Sequence, residues 1–496
     1  MKKLLLIFLL TSLVITVAAQ KDLYKEKYRP QFHFSPAKNW TNDPNGLLYY
    51  KGQYHLFYQH NPFGNVWGHM TWGHAVSKDL IHWKHLPVAI PEEKDTMIFS
   101  GTCVADINNT SGLGKSGKTP LVAIYTGHIE NVNQSQHLAY SLDDGITWIK
   151  YNKNPLLDLH KKDFRDPKIF WYAPKKYWVM CVMLPVEHIV QFYSSSNLLN
   201  WKHLSDFGPA GDTSGVWECP DLVQVPVEGV PGKKKWLLQM SMNAAMQYFV
   251  GEFDGVHFTN ENPADKIFRP DYGPDYYAAI TYGQLPAAVP PTAIGWVNNW
   301  NYANDIPTTP WKGAMSIPRT LSVKKINNEW LLIQKPVDKI KILGEYVYSG
   351  SNYIIEKAFT LPALLQQCEI DAVIEPGAGS VAGLRIAKSG DRYLEIGYDM
   401  DKKVLYTNRA KAGDQSFNKN FEKLGRFEIP YSLSGKTIRL QVFFDNSIAE
   451  IFVNGGERVF TLQLFPDLSA QEMELFSDNV RSRLVTCTVN KMKSAW

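Results

Sequence analysis

At 496 residues the chain exceeds one ordinary domain, and 45% hydrophobic with 20% charged residues is the composition of a soluble globular protein, not a disordered or fibrous one. A formal net charge of +4, with no basic cluster beyond Lys233-Lys234-Lys235, excludes nucleic acid and anionic membrane surfaces as natural partners and points to a neutral substrate. Aromatic residues reach 13%, a richness that suits strand-dominated structure and sugar-binding surfaces alike.

The chain opens with Lys2 and Lys3, an apolar run from Leu4 to Thr16 and the small residues Val17-Ala18-Ala19. This is the pattern of a secretory signal peptide over residues 1–19. The run is shorter than the roughly 20 residues of a comfortable membrane span. No Cys follows it to carry a lipid. An exported protein, periplasmic or secreted, without membrane attachment after cleavage is expected. The cysteines Cys103, Cys181, Cys219, Cys368 and Cys487 are scattered and odd in number, which predicts isolated buried thiols and no disulfide framework.

Three acidic motifs follow in order: Trp40-Thr41-Asn42-Asp43-Pro44-Asn45-Gly46, Phe164-Arg165-Asp166-Pro167 and Trp217-Glu218-Cys219-Pro220-Asp221. Each acid heads a hairpin. Asp43 leads into Gly46–Tyr50, a Lys51-Gly52 turn and Gln53–Gln59; Asp166 leads into Lys168–Tyr172, a Pro174-Lys175-Lys176 turn and Tyr177–Val182. Glu218 leads into Asp221–Val225, a Gly/Pro/Lys loop and Lys235–Met240. A second motif interleaves with these as Ser77-Lys78-Asp79-Leu80-Ile81-His82-Trp83, around Ser141 to Trp148, as Ser195-Ser196-Asn197-Leu198-Leu199-Asn200-Trp201, and loosely as Phe253 to Phe258. Its terminal rings lie 65, 53 and 57 residues apart by subtraction of their numbers.

Periods of this size with several short strands each are the mark of propeller blades. The chain is therefore read as all-β, a five-bladed β-propeller followed by a C-terminal β-sandwich. The blades are placed at roughly 40–95, 97–155, 160–207, 215–262 and 275–337, within a catalytic domain spanning 28–340. Past a short linker around Lys335 to Glu345 the texture changes to runs such as Thr437–Phe444, Ala449–Val453 and an Asn454-Gly455-Gly456 turn, which fits a sandwich over 346–496. Strands starting from one end of each blade would converge on a central channel and bring the three carboxyls into one funnel.

Two carboxyls across a scissile bond are what glycoside hydrolysis needs, about 5 to 5.5 Å apart in the retaining route and farther apart in inversion. A nucleophilic Asp must stay ionised, and Asp43, between Asn42, Asn45 and a glycine turn rich in N–H donors, is expected to have a low pKa. The acid/base must hold a proton near neutral pH, and Glu218 beside Trp217 and Cys219 has surroundings that raise a pKa. Asp166 next to Arg165 is expected to remain charged and to accept hydrogen bonds from sugar hydroxyls as positive charge develops. Each motif alone has an ordinary reading. Asp-Pro-Asn-Gly makes a good β-turn, Arg165-Asp166 a surface ion pair, and Glu218 a partly exposed strand residue. Their shared phase in the repeat reverses that reading.

Taken with Gln59-His60-Asn61-Pro62, Trp72-Gly73-His74-Ala75 and Phe99-Ser100-Gly101, these motifs resemble glycoside hydrolase family 32, the invertases, inulinases and levanases. The matches run in order from Trp40 to Pro220, and the two-part layout extends the likeness over the rest of the chain. The resemblance implies retaining hydrolysis of β-fructosides, with Asp43 as nucleophile, Glu218 as acid/base and Asp166 as transition-state stabiliser. It implies a fructose pocket lined by Asn42, Gln59, Trp67, Phe99, Ser100 and Arg165, its rim closed by Trp296 or Trp300. The stretch from Ile294 to Arg319 is similar to that of polymer-degrading members, which implies exo action on fructans, levan ahead of inulin, and possible use of sucrose. Thr41, where many relatives carry Met, and Ser241-Met242-Asn243-Ala244-Ala245, where a Gly-rich stretch is common, depart from the pattern.

Neither a metal nor a cofactor is expected. The His residues form no H-E-x-x-H or Cys/His cluster, and no phosphate loop or dinucleotide fingerprint is present. Three alternatives stand beside the exo-hydrolase: an endo-acting levanase, a fructosyltransferase in which a sugar captures the same covalent intermediate, and a non-catalytic fructan-binding protein. The intact acid triplet opposes the last, since a binding protein needs no proton donor at Glu218.

Overall fold

Alternating apolar and polar residues, broken by turn sequences, drive most of the described chain into antiparallel strands. The computed structural model describes residues 23–496, so the expected signal peptide lies outside the described residues. Residues 39–336 form five consecutive sheets led by the strands Asn39–Tyr50, Met97–Ala105, Arg165–Tyr172, Trp217–Pro226 and Tyr277–Thr281. These leading strands touch in succession, first to second, second to third, third to fourth, fourth to fifth and fifth back to first.

An apolar layer fills every gap between neighbouring sheets. Leu48, Phe57 and Trp72 of the first pack on Ile98, Leu121 and Tyr125 of the second, and Val122 and Ile124 of the second meet Ile169, Trp178 and Met180 of the third. Val179, Cys181 and Phe192 then meet Leu222, Leu238 and Met240. Val225, Leu237 and Val250 meet Leu321, Val323 and Leu332. The closing layer sets Ile280, Ile294 and Met315 of the fifth sheet against Leu47, Leu56 and Tyr58 of the first.

The repeated Ser/Asp motif proves to be the turn between the third and fourth strands. Asp79 Oδ1 accepts from the backbone N–H of Ile81 and His82 at 2.9 and 2.8 Å, and Asn197 Oδ1 from Leu199 and Asn200 at 3.0 and 2.9 Å. Asp254 Oδ1 does the same for Val256 and His257, at 2.7 Å each.

The fifth sheet, within the span 275–337, is interrupted. After Thr292–Val297 the chain leaves the sheet, and Trp311–Lys312 pairs in parallel with Asn39–Trp40 of the first. The chain then returns through Ala314–Met315 to Arg319–Ile326. This excursion fastens the last sheet to the first and carries Trp300 to the funnel mouth.

Two six-stranded sheets follow. In Gln367–Glu375 burial alternates residue by residue, and Cys368, Ile370, Ala372 and Ile374 face Leu384, Ile386, Leu394 and Ile396 of the opposing sheet in one core. The segment expected as a linker holds a 3-10 helix, Asp338–Leu343, whose Ile340 and Leu343 are buried with Phe443 and Phe452. The two halves are therefore packed together rather than tethered.

Candidate active site

All five leading strands carry the same irregularity. Each inserts one extra residue against its partner: between Thr41 and Pro44, Ile98 and Gly101, Arg165 and Lys168, Glu218 and Asp221, and Tyr277 and Ile280. A β-bulge bends the strand and re-aims its side chains. Asp166, Cys219 and Ala278 adopt φ values of 66°, 51° and 51°, in the left-handed region that non-glycine residues rarely visit. Asn42, Asp43, Phe99, Ser100, Arg165, Asp166 and Glu218, in or beside four of these bulges, line one pocket.

With Gln59, Trp67 and Trp300 these residues line a pocket of about 210 Å³. Three carboxylates from three sheets thus share one site. Asp43 is held by Ser100 Oγ, which donates to Oδ2 at 2.7 Å, and by Asn42 Nδ2, which donates to Oδ1 at 2.9 Å. Trp40 Nε1 in turn donates to Asn42 Oδ1 at 2.7 Å and fixes that amide. Arg165 spans to Glu218, Nε and Nη2 donating to Oε1 at 3.2 and 3.1 Å, while Nη1 donates to Asp163 at 2.7 Å and Gln134 at 3.2 Å. Tyr277 OH donates to the other oxygen of Glu218. The Glu218 side chain is 24% exposed and that of Asp166 6%, so Glu218 sits nearer the mouth.

Residues 33–336 match the glycosyl hydrolases family 32 N-terminal domain and residues 346–491 the family 32 C-terminal domain. The chain belongs to glycosyl hydrolase family 32. It is 42% identical to a levanase of Bacillus subtilis (strain 168), over 100% of this chain and 76% of that protein. To the extracellular exo-inulinase of Aspergillus ficuum it is 38% identical, over 95% of this chain and 96% of the relative. The crystal structure of exo-inulinase from Aspergillus awamori matches with a TM-score of 0.91 at 36% identity, covering 95% and 100% of the two chains.

In this family 32 protein four features of the site differ from those the sequence suggests. Trp296 does not reach the pocket: fully buried, it packs on Trp40 and Tyr277, and Trp300 takes the rim instead at 37% exposure. Trp296 stands in the regular strand Thr292–Val297, whereas Trp300 rides the excursion after it and stacks on Trp40 with ring centroids 6.1 Å apart. Asp43 is not held at a low pKa. Burial raises it and the charge of Glu218 adds to that, while the Ser100 and Asn42 hydrogen bonds oppose them. Asp166 is also pushed up, to about 7, by burial; Arg165 pulls it down, and Glu218 and Asp43 push it further up. The Arg165 guanidinium points to Glu218, leaving its Nε 3.9 Å from Asp166 Oδ2. Finally, Trp217 does not pack over Glu218. Alternation along the strand turns it into the core between sheets, where its Nε1 donates to Asp212 O at 2.7 Å.

The expected thiols are all free and buried. Cys219 lies between two of the acids, its Sγ 3.5 Å from Asp43 Oδ2 and 3.7 Å from Asp166 Oδ2, and its N–H donates to Asp166 at 2.9 Å. Burial and then the nearby carboxylates keep this thiol protonated. Sequence reasoning missed Tyr277, Asp163 and Gln134. Tyr277 occupies in the fifth strand the bulge position that Arg165 and Glu218 occupy in the third and fourth, so the phase of the repeat would have found it. Asp163 and Gln134 carry no such signal.

Proposed function

We propose that the protein is an exported exo-acting β-fructosidase that releases fructose from levan and inulin and accepts sucrose, working by double displacement. The closed succession of five sheets supports a five-bladed β-propeller over 28–340, and the two six-stranded sheets support a β-sandwich over 346–496. Family membership supports retaining hydrolysis, and the similarity to a levanase and to exo-inulinases supports the fructan substrate.

The reading rests on one observation: Asp43, Asp166 and Glu218, from three sheets, line a single pocket with Arg165 between the last two. Asp43 attacks the anomeric carbon as Glu218 gives its proton to the departing glycosidic oxygen, leaving a fructosyl ester on Asp43. Arg165, donating to Oε1, stabilises the carboxylate that Glu218 then becomes. Water, deprotonated by Glu218, next attacks the ester and frees Asp43. Asp166 accepts hydrogen bonds from sugar hydroxyls that tighten as the oxocarbenium ion forms. Asn42, Gln59, Trp67, Phe99, Ser100 and Arg165 enclose the fructosyl ring, with Trp300 rather than Trp296 at the rim.

Product analysis on levan, inulin and sucrose tests this. Free fructose as the sole product from both polymers is expected. Short oligosaccharides would mean an endo-acting enzyme, and no cleavage of any of the three would end the reading.

A further inference from the structure

Two stretches of the first half complete the pocket from outside its acid triad. One is 271–277, which ends in Tyr277, the hydroxyl partner of Glu218. The other is the excursion carrying Trp300 to the rim. Both are gripped by the second half. Residues 271–275 run along the strand Arg458–Gln463, at the free edge of a six-stranded sheet. Tyr272 N donates to Val459 O at 2.8 Å, and Asp275 N to Thr461 O at 3.2 Å. Gly273 passes so close that a Cβ there would come within 2.1 Å of Thr461 O.

One side chain joins the two stretches. Arg409, just after the strand Val404–Asn408, is 1% exposed. Its Nη1 donates to Asp275 Oδ2 at 2.6 Å and to Gln463 O at 3.0 Å, and its Nη2 donates to Tyr302 OH at 3.0 Å. Tyr302 OH in turn donates to Asp275 Oδ1, which closes a three-membered polar ring. The guanidinium lies 3.9 Å over the Phe421 ring, and Phe421 also meets Tyr302 edge-on at 5.0 Å. Asn299 Nδ2 donates to Pro274 O at 2.7 Å, a second tie between the same two stretches. Asp275 is two residues from Tyr277, and Tyr302 two residues from Trp300.

We infer that Arg409 is a positioning residue for the reaction: from the C-terminal half it clamps Asp275 and Tyr302, and so sets both the Tyr277 contact on Glu218 and the Trp300 wall. This rests on the β-fructosidase reading above. A planar guanidinium with donors fixed in a fork can hold two acceptors in one register, which a lysine ammonium cannot reproduce. Displacements of about 1 Å at an active site cost on the order of a hundredfold in rate.

The test compares full-length Arg409→Lys, Arg409→Met and Tyr302→Phe with His33→Asn. His33 belongs to a buried cluster with Asp445 and Glu450 at the same interface; it makes no contact of its own with either stretch, and its link to Asp271 runs only through Glu450 and Arg319. Tyr302→Phe keeps the ring and the Arg409–Asp275 pair but removes the hydroxyl tie of the excursion, which then hangs on Asn299 and the Phe421 contact, so KM is expected to rise several-fold with kcat nearly unchanged. Both Arg409 variants are expected to lose kcat by about tenfold to a hundredfold as well, while His33→Asn lowers thermal stability and keeps wild-type kcat and KM. Hydrogen exchange needs no turnover and is read in parallel. Faster exchange confined to 298–304 in Tyr302→Phe, and spreading to 271–277 in Arg409→Lys, supports the clamp. Wild-type exchange there, or folded Arg409 variants with wild-type kinetics, overturns it. A kinetic loss in His33→Asn equal to that of Arg409→Lys would also overturn it, by reducing the effect to stability. If the wild type cleaves no fructoside, the functional reading fails, and exchange alone still decides the clamp.

Discussion

Arg165 and Glu218 come from neighbouring sheets, yet two nitrogens of the guanidinium converge on one carboxylate oxygen, at 3.2 and 3.1 Å, and Tyr277 engages the other. Adjacent Asp166 is left with Thr126 Oγ1, which accepts from its N–H at 2.9 Å, and with the Cys219 N–H, which donates to its carboxylate at 2.9 Å. The arginine of the Arg-Asp-Pro motif therefore engages Glu218 more directly than its own sequence neighbour. Arg165→Lys, which cannot make the forked contact, should lower kcat on the order of a hundredfold with a smaller change in KM. Steady-state kinetics on sucrose would show this, and a change confined to KM would assign Arg165 to substrate binding alone.

With Asp43 as the proposed nucleophile, Asp43→Ala should lower turnover by at least about a thousandfold. Glu218→Gln should lose less on an aryl fructoside, whose leaving group needs no proton, than on sucrose. Equal losses on both substrates would count against Glu218 as proton donor.

Ser100 Oγ stabilises the charged form of Asp43 against burial and the charge of Glu218, both of which favour the proton. Removing it in Ser100→Ala should raise the Asp43 pKa further, so the acid limb of the kcat/KM profile should move to higher pH. A shift to lower pH would contradict the assignment.

Two neighbouring tryptophans should respond oppositely. Trp300→Ala strips an exposed ring from the rim and should raise KM about five- to tenfold, the equivalent of about 1 to 1.4 kcal/mol. Trp296→Ala empties a fully buried site and should cost about 3–5 kcal/mol of stability. Thermal unfolding beside Michaelis kinetics separates the two effects.

The buried histidines set opposing pH limits on stability. Burial pushes His55 down to about 4, and burial together with the charge of His55 holds its neighbour His74 well below its ordinary 6.5. Their contribution is complete above about pH 6.5, where the unfolded chain is also neutral, and is lost as pH falls toward 4. His33 runs the other way. Burial alone would lower it, but its hydrogen bonds to Asp445 and Glu450 prevail and raise it to about 9. Its contribution is complete below pH 6.5 and is lost as pH rises through 9. The thermal midpoint should therefore peak near pH 6.5 and fall on both sides, and His33→Asn should flatten only the alkaline side. An unchanged alkaline slope in that variant would remove His33 from the account.

The sequence carried the hairpins after each acid because alternation and turn residues are local properties. It carried a repeat because Ser77, Ser141 and Ser195 recur with their Asp or Asn two residues on. Pro44, Pro167 and Pro220, which have no N–H to give a ladder, fall in or beside three of the bulges, while the second and fifth sheets bulge without a proline. Which tryptophan closes the pocket was not legible. Trp296 and Trp300 differ only in whether the backbone stays in the sheet, and the parallel pairing of Trp311–Lys312 with Asn39–Trp40, across the whole first half, decides that.

By itself, then, the sequence determined the three acids, the all-β class, the two-part layout and the family resemblance, since residue identity and short-range pattern are written directly in it. Tertiary structure decided the protonation balance and the partners. The Asp43 and Asp166 carboxyls are driven up by burial and mutual repulsion, and Glu218 is held by Arg165 and Tyr277 from other sheets. A pKa follows from the solvent and charges within a few ångströms, and here most of those arrive from residues more than fifty positions away in the chain.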